Sequence, residues 1–217
     1  MAPGCIVVYL EPKDSTGFAS LQSWLATIPE TIPGVQVMTK LEATDTVDAS
    51  RPYRLESLIQ VENIDTIQDA TISHLRTSSN SLLSRSDWHL FRSISFDKKP
   101  DFDTTRTPPL NMQLVQVGMA PRNEPEIIAD YHNWYKIEHM PFLAQVPGWQ
   151  VGNRYELLRS IGDGAEPAKP FLAAHLYDEV NGLGGPEWRK SVDSAYTKKI
   201  QKNTSEPNHR RTWKVAG

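Results

Sequence analysis

The sequence predicts an α+β fold: two tandem ferredoxin-like (βαββαβ) repeats packed sheet to sheet within one chain. Three observations predict it. The apolar runs follow the same order in both halves, a polar proline-rich stretch separates them, and Pro-Gly-x-Gln-Val stands at the same place in each, over residues 33–37 and 147–151. Right-handed βαβ crossovers put both helices of a β-α-β-β-α-β unit on one face of a four-stranded antiparallel sheet. The other face stays apolar and bare, so two such sheets are expected to cover one another. The predicted units are 1–97 and 110–217, with 98–109 as the linker.

Residues 6–10 (Ile-Val-Val-Tyr-Leu) are a β-type run, and 18–28, containing Trp24, follow helical spacing. The Pro33-Gly34 turn leads into a strand, 54–61 form a third, 64–83 a second helix, and the aromatic run 88–94 closes the unit. The stretch 98–109 is too polar and too rich in proline for a regular core element. Residues 112–118 then alternate with period 2, and 124–140, containing Trp134, read as a helix that Pro141 ends. A strand from 147, a third strand over 171–177, a helix over 186–200 and a strand over 212–215 complete the second unit.

A chain of 217 residues with 39% apolar content can bury a substantial core. A net charge of −3 argues against a nucleic-acid or anionic-membrane partner, either of which favours a basic excess. Cys5 is the single cysteine, so neither an internal disulfide framework nor a cysteine-based zinc site is available, and it reads as buried filler. No apolar run approaches the ~20 residues of a membrane span. The opening residues lack a basic stretch and read as a strand rather than a signal peptide, so a cytoplasmic protein is expected. Five of seven tyrosines, four of six tryptophans and four of six histidines fall in the second half. That imbalance places the chemistry there.

At about 100° per residue, Ile128, Tyr131, His132, Tyr135 and His139 share one helical stripe. Aliphatic residues would be usual on a core-facing stripe; this one is aromatic and carries two imidazoles. His139, in the last turn before Pro141, is the first candidate for general base or acid, because an imidazole titrates near neutrality. Tyr135, one turn earlier, either donates to a substrate oxyanion or is an aromatic core residue. His175 shares a sheet face with Phe171, Ala173 and Tyr177, and the small alanines leave room for a pocket floor. His132 and His139 stand roughly 10 Å apart along a helix, too far to share one metal ion, and no metal site is expected. Arg154 is placed to bind a carboxylate or enolate, or to pair with Glu138 or Glu156. Tyr131, His132, Met119, Phe142, Trp149 and Tyr177 are the remaining candidates for substrate contact. The charged run 209–211 reads as a solvated tail in preference to a segment that closes over a pocket.

The stretch Trp134, Tyr135, Glu138, His139, Pro141, Pro147, Gly148 and Trp149, followed by Arg154 and Tyr155, resembles the EthD-like branch of the dimeric α/β-barrel superfamily. The likeness extends over about 25 residues, while the first half keeps Trp24 and Pro33-Gly34 but has no Glu-His-Met-Pro stretch. The resemblance implies an intramolecular dimeric α/β barrel of the tandem-repeat fungal tailoring-enzyme type. It further implies a pocket between helices and sheet in the second half and a structural first half. The expected activity is that of a cofactor-independent lyase or cyclase on an apolar, aromatic or polyketide-like small molecule. Cyclisation, dehydration or decarboxylation would proceed through proton transfer by His139, with Tyr135 and His175 or Arg154 stabilising charge. The alternatives are a cofactor-free monooxygenase of an anthrone-like substrate, a haem enzyme of this architecture and a non-catalytic metabolite carrier. Whether the chain pairs further into a homodimer is left open.

Overall fold

The computed structural model describes residues 1–14 and 17–217. Eight strands carry the framework: β1 (Gly4–Pro12), β2 (Val35–Ala43), β3 (Leu55–Val61), β4 (Leu83–Lys98), β5 (Gln113–Met119), β6 (Trp149–Gly162), β7 (Phe171–Tyr177) and β8 (His209–Val215). The helices are α1 (Gln22–Thr31), α2 (Asp69–Ser78), α3 (Pro125–Trp134), α4 (Met140–Leu143), α5 (Pro186–Val192) and α6 (Ala195–Lys202). A π-helical turn, Tyr135–His139, joins α3 to α4.

The expected pair of sheets packed face to face is not what forms. The strands make one closed antiparallel barrel in the order β1-β3-β2-β8-β5-β7-β6-β4. Two seams close it. β4 runs against β6 from Asp87 opposite Gly162 to Lys98 opposite Val151, and β2 meets β8 only from Leu41 opposite Val215 to Ala43 opposite Trp213. Stacked sheets would leave edge strands with unpaired backbone groups, whereas closure pairs every strand on both sides. The bare apolar faces therefore curl around one shared lumen. Cys5, Val7, Leu58, Phe91, Leu114, Val151, Leu176 and Trp213 fill it, and linker residue Phe102 packs against them.

Alternation assigns the opposite faces of the strands to the helices. Ile6, Val8, Leu10, Ile59 and Leu90 point outward beneath Trp24, Leu25, Ile28, Ile72 and Leu75 of α1 and α2. Met119, Phe171 and Ala173 face Tyr131, Trp134 and Ile200. The two Pro-Gly turns are alike: Gly34 (φ 72°) and Gly148 (φ 81°) both take the left-handed conformation that favours glycine. Each is followed by a register shift, between Val35 and Val37 in β2 and between Trp149 and Val151 in β6. No helix among the described residues is long and apolar enough to cross a membrane.

Two local expectations are corrected here. Pro141 does not end the helix, which continues to Leu143. Within the preceding π turn the Met140 N–H reaches the Tyr135 carbonyl, and the wider turn relaxes the clash of the proline ring with the carbonyl four residues back. Residues 209–211 are not a tail but the start of β8. Arg211 is 1% exposed, its Nη1 lying 3.0 Å from both Glu166 carboxylate oxygens and its Nε 3.0 Å from Asp45.

Candidate active site

The π turn sets the geometry of the site. Such a turn inserts a residue into the helical repeat, so side chains after it leave the stripe of those before it. His139 therefore does not follow His132 onto one face, as a straight helix would require. The two histidines open into different cavities, with Tyr135 in the wall of both.

The inner cavity, of about 180 Å³, lies between the outer face of β5 and β7 and the helices α3, α5 and α6. Met119, Tyr135, His139, His175 and Tyr177 line it, together with Trp134, Trp188 and Arg210. Its volume is comparable with the roughly 150 Å³ of a dry cavity that holds benzene. Exposed Gln201, Asn208 and Arg210 mark where it reaches the surface.

The two imidazoles facing this cavity have opposite tautomers. His139 Nδ1 lies 3.1 Å from the Ser191 carbonyl. A carbonyl only accepts, so Nδ1 carries the proton and Nε2 keeps its lone pair. For His175 the arrangement is reversed. The Trp149 indole N–H donates to Nδ1 at 3.4 Å, so the proton is on Nε2, which is buried and has no hydrogen-bond partner. One imidazole can thus accept a proton and the other can donate a hydrogen bond. Burial holds His139 down at about 4 despite the Ser191 bond, with the positive Arg154 pushing the same way. Burial, then His139 and Arg154, hold His175 at about 3. Both rings are neutral at physiological pH.

His139 is fixed by its neighbours. Its ring stacks on Trp134, with centroids 4.1 Å apart, and meets the edge of Tyr135 at 5.1 Å. Trp134 donates to the Thr197 hydroxyl at 3.1 Å, and that hydroxyl donates to the Ser191 carbonyl at 2.7 Å. The Ser194 hydroxyl, which also caps α6, donates to Glu138 at 2.5 Å. The connection between α5 and α6 thereby holds the π turn from outside.

The outer cleft is larger, about 520 Å³, with His132, Tyr135, Lys136, Met140, Asp97 and Arg154 in its walls. Arg154 pairs with neither Glu138 nor Glu156. Its Nη2 donates to His132 Nδ1 at 2.9 Å, and its guanidinium lies over Tyr135 at 3.9 Å and Tyr131 at 5.1 Å. Burial and the Arg154 charge push the His132 imidazole below its usual range. Tyr131 and Trp149 are packed behind the cavities rather than lining them. Phe142 lines neither; it lies beneath the Lys190 ammonium at 4.5 Å. Trp134 and the Ser191 carbonyl were not among the sequence candidates, and Arg210, in the run expected as a tail, reaches the cavity. Trp134 stands in the quoted motif and was the one with a signal.

Gly152, on β6, is where this arrangement tolerates least. A Cβ there would come within 2.8 Å of His175 Nδ1 and of the Met140 sulfur. The thioether can move, but the imidazole is boxed in by Trp149. Gly152→Ala is expected to break the Trp149–His175 hydrogen bond and cost about 1–3 kcal/mol, read by chemical denaturation and by the His175 ring resonances. An unchanged His175 spectrum would contradict the packing described.

No family model matches the chain, and no curated relative matches it. Solved structures do. A monooxygenase candidate from Fusobacterium nucleatum subsp. nucleatum superposes with a TM-score of 0.62 at 9% identity, covering 100% of this chain and 93% of the other. An anthrone oxidase-like protein gives 0.59 at 11% identity, covering 100% and 92%. A chlorite dismutase variant from Candidatus Nitrospira defluvii, solved with cyanide, gives 0.57 at 9% identity, covering 97% and 90%. At these identities the likeness is one of fold, and the fold is that of the dimeric α/β-barrel proteins.

Some proteins of this fold bind haem, among them a haem-binding protein from Thermus thermophilus with a TM-score of 0.52. The residues here do not fit that group. The cavity that His139 faces, about 180 Å³, has no room for a porphyrin. The larger cleft has room, but its imidazole, His132, spends its Nδ1 lone pair on Arg154 and so carries a proton on Nε2, the nitrogen a metal would need.

Proposed function

We propose that the chain is a cofactor-free monooxygenase that oxidises an electron-rich, anthrone-like aromatic molecule, whose reacting ring enters the inner cavity while the rest lies toward its open end at Asn208 and Arg210. The observation that carries this reading is the pairing of an accepting His139 Nε2 with a donating His175 Nε2–H in one apolar pocket. His139 takes the proton from the activated C–H or O–H. The unpartnered His175 N–H holds the resulting oxyanion, as a preorganised donor in a water-poor site does. The electron-rich anion reduces O₂; overall a ring CH₂ and O₂ become C=O and water. Met119, Trp134 and Tyr177 supply the apolar walls; β7 carries His175, and the π turn, tied to the Ser191 carbonyl, carries His139. The shared fold of the anthrone oxidase-like protein and the monooxygenase candidate supports this reading.

The same base and donor would serve cyclisation, dehydration or decarboxylation without oxygen, and the EthD-like motif from Trp134 to Trp149 is consistent with a fungal tailoring role of that kind. Oxygen consumption separates the two. With anthrone as probe, uptake of one O₂ per quinone formed is expected at an oxygen electrode. Turnover that continues under argon at an unchanged rate would overturn the oxygenase reading.

A further inference from the structure

The outer cleft holds a charge that the barrel does not neutralise. Arg154 is 4% exposed, and no carboxylate among the described residues forms an ion pair with it. Its Nε is buried without a hydrogen-bond partner. Buried charges in proteins are ordinarily paired, and the other deeply buried arginine here, Arg211, has both Glu166 and Asp45. What holds Arg154 is a neutral imidazole on one side and tyrosine faces on the other. These fix the plane of the guanidinium without satisfying its charge. Lys136 adds a second cation at the cleft wall, and the one carboxylate there, Asp97, is exposed and does not reach Arg154 within ion-pair distance.

We infer that the outer cleft is a binding site for a carboxylate-bearing small molecule, which Arg154 clamps through its planar fork while Met140, Pro141, Ala144 and Ile94 cover the ligand's apolar body. The apolar wall residues and the volume of about 520 Å³ suit an aromatic or short aliphatic acid rather than a bare inorganic anion. Tyr135 separates this site from the inner cavity, so the inference stands on its own observation and does not depend on oxygen chemistry. An acid bound here would also cancel the positive charge felt by His139 and His175, which makes the cleft a place from which the inner site is tuned.

The probe is 2-naphthoate, with 2-naphthalenemethanol as its neutral counterpart, titrated calorimetrically into the wild-type protein at pH 7. The acid is expected to bind at least tenfold more tightly than the alcohol, and Arg154→Met to remove that preference while the alcohol's affinity stays within threefold. Equal affinity of acid and alcohol for the wild-type protein would overturn the inference. So would an acid preference that survives Arg154→Met, since the carboxylate would then sit elsewhere. Should the methionine variant fail to fold, the side-chain ¹⁵Nε–H resonance of Arg154, identified by its loss in Arg154→Lys, decides. It must shift with naphthoate and not with the alcohol.

Discussion

Arg211→Met is expected to lower the stability of the barrel by about 3–5 kcal/mol, the cost of removing one partner from a buried ion cluster. The guanidinium joins parts of the chain that are far apart in sequence. It binds Glu166 through Nη1, Asp45 through Nε, and the Tyr53 carbonyl through Nη2 at 2.8 Å, with its plane 4.2 Å from the Trp213 ring. Without it, His209, at 2.7 Å, is the one side-chain partner left among the described residues for a Glu166 carboxylate that has no exposed surface. Urea unfolding should show the loss directly. Adding Glu166→Gln to the variant should recover part of it, because the penalty lies mainly in the orphaned negative charge. A single variant that loses less than about 1 kcal/mol would mean that the cluster is inert.

His139→Ala should reduce turnover by roughly 100- to 10,000-fold, the usual weight of a positioned general base. The ring is packed against Trp134 and Tyr135 but borders a cavity, so the fold should survive its loss, and near-ultraviolet dichroism checks this. The pH profile carries a second expectation. With His139 held at about 4, its Nε2 lone pair is available at any pH above that value. The acidic limb of the rate should therefore lie near 4 rather than near the free imidazole value of about 6.5. Stability follows the same sign. A histidine whose folded value is depressed contributes fully above about 6.5, and that contribution falls away as pH drops towards 4, because the unfolded chain takes up the proton first. Full activity in a folded His139→Ala protein would remove the base assigned here.

The order of elements was legible because each carries its own apolar period. The run 171–177 is apolar almost throughout, and β7 occupies those residues, with His175 and Tyr177 on the helix-covered face that Phe171 and Ala173 also share. The closed barrel was not legible. Its longer seam runs past the expected end of the first unit: Ser93, Ser95, Asp97 and Lys98 of β4, which look like the start of a polar linker when read alone, become strand by pairing with Tyr155, Arg154, Gly152 and Val151 of β6. The π turn also left no trace, because it alters hydrogen bonding without altering composition. Arg211 looked solvated because local charge says nothing about Glu166 and Asp45, which arrive from elsewhere in the chain. In the candidate site, side-chain chemistry singled out His139 and His175 as candidates, and the fold brings both to one cavity. Their opposite tautomers depended on the Ser191 carbonyl and the Trp149 indole, and only the fold brings those to them.

The short seam between β2 and β8 has a consequence for biosynthesis. β2 is made well before β8, yet its outer edge finds its partners, Trp213 to Val215, only once that strand exists. Until then its backbone groups present an open template to any extended segment nearby. The nascent protein thus carries that unguarded edge while everything between the two strands is being made, longer than the edge of β4 waits for β6, and the interval ends when β8 is released from the ribosome.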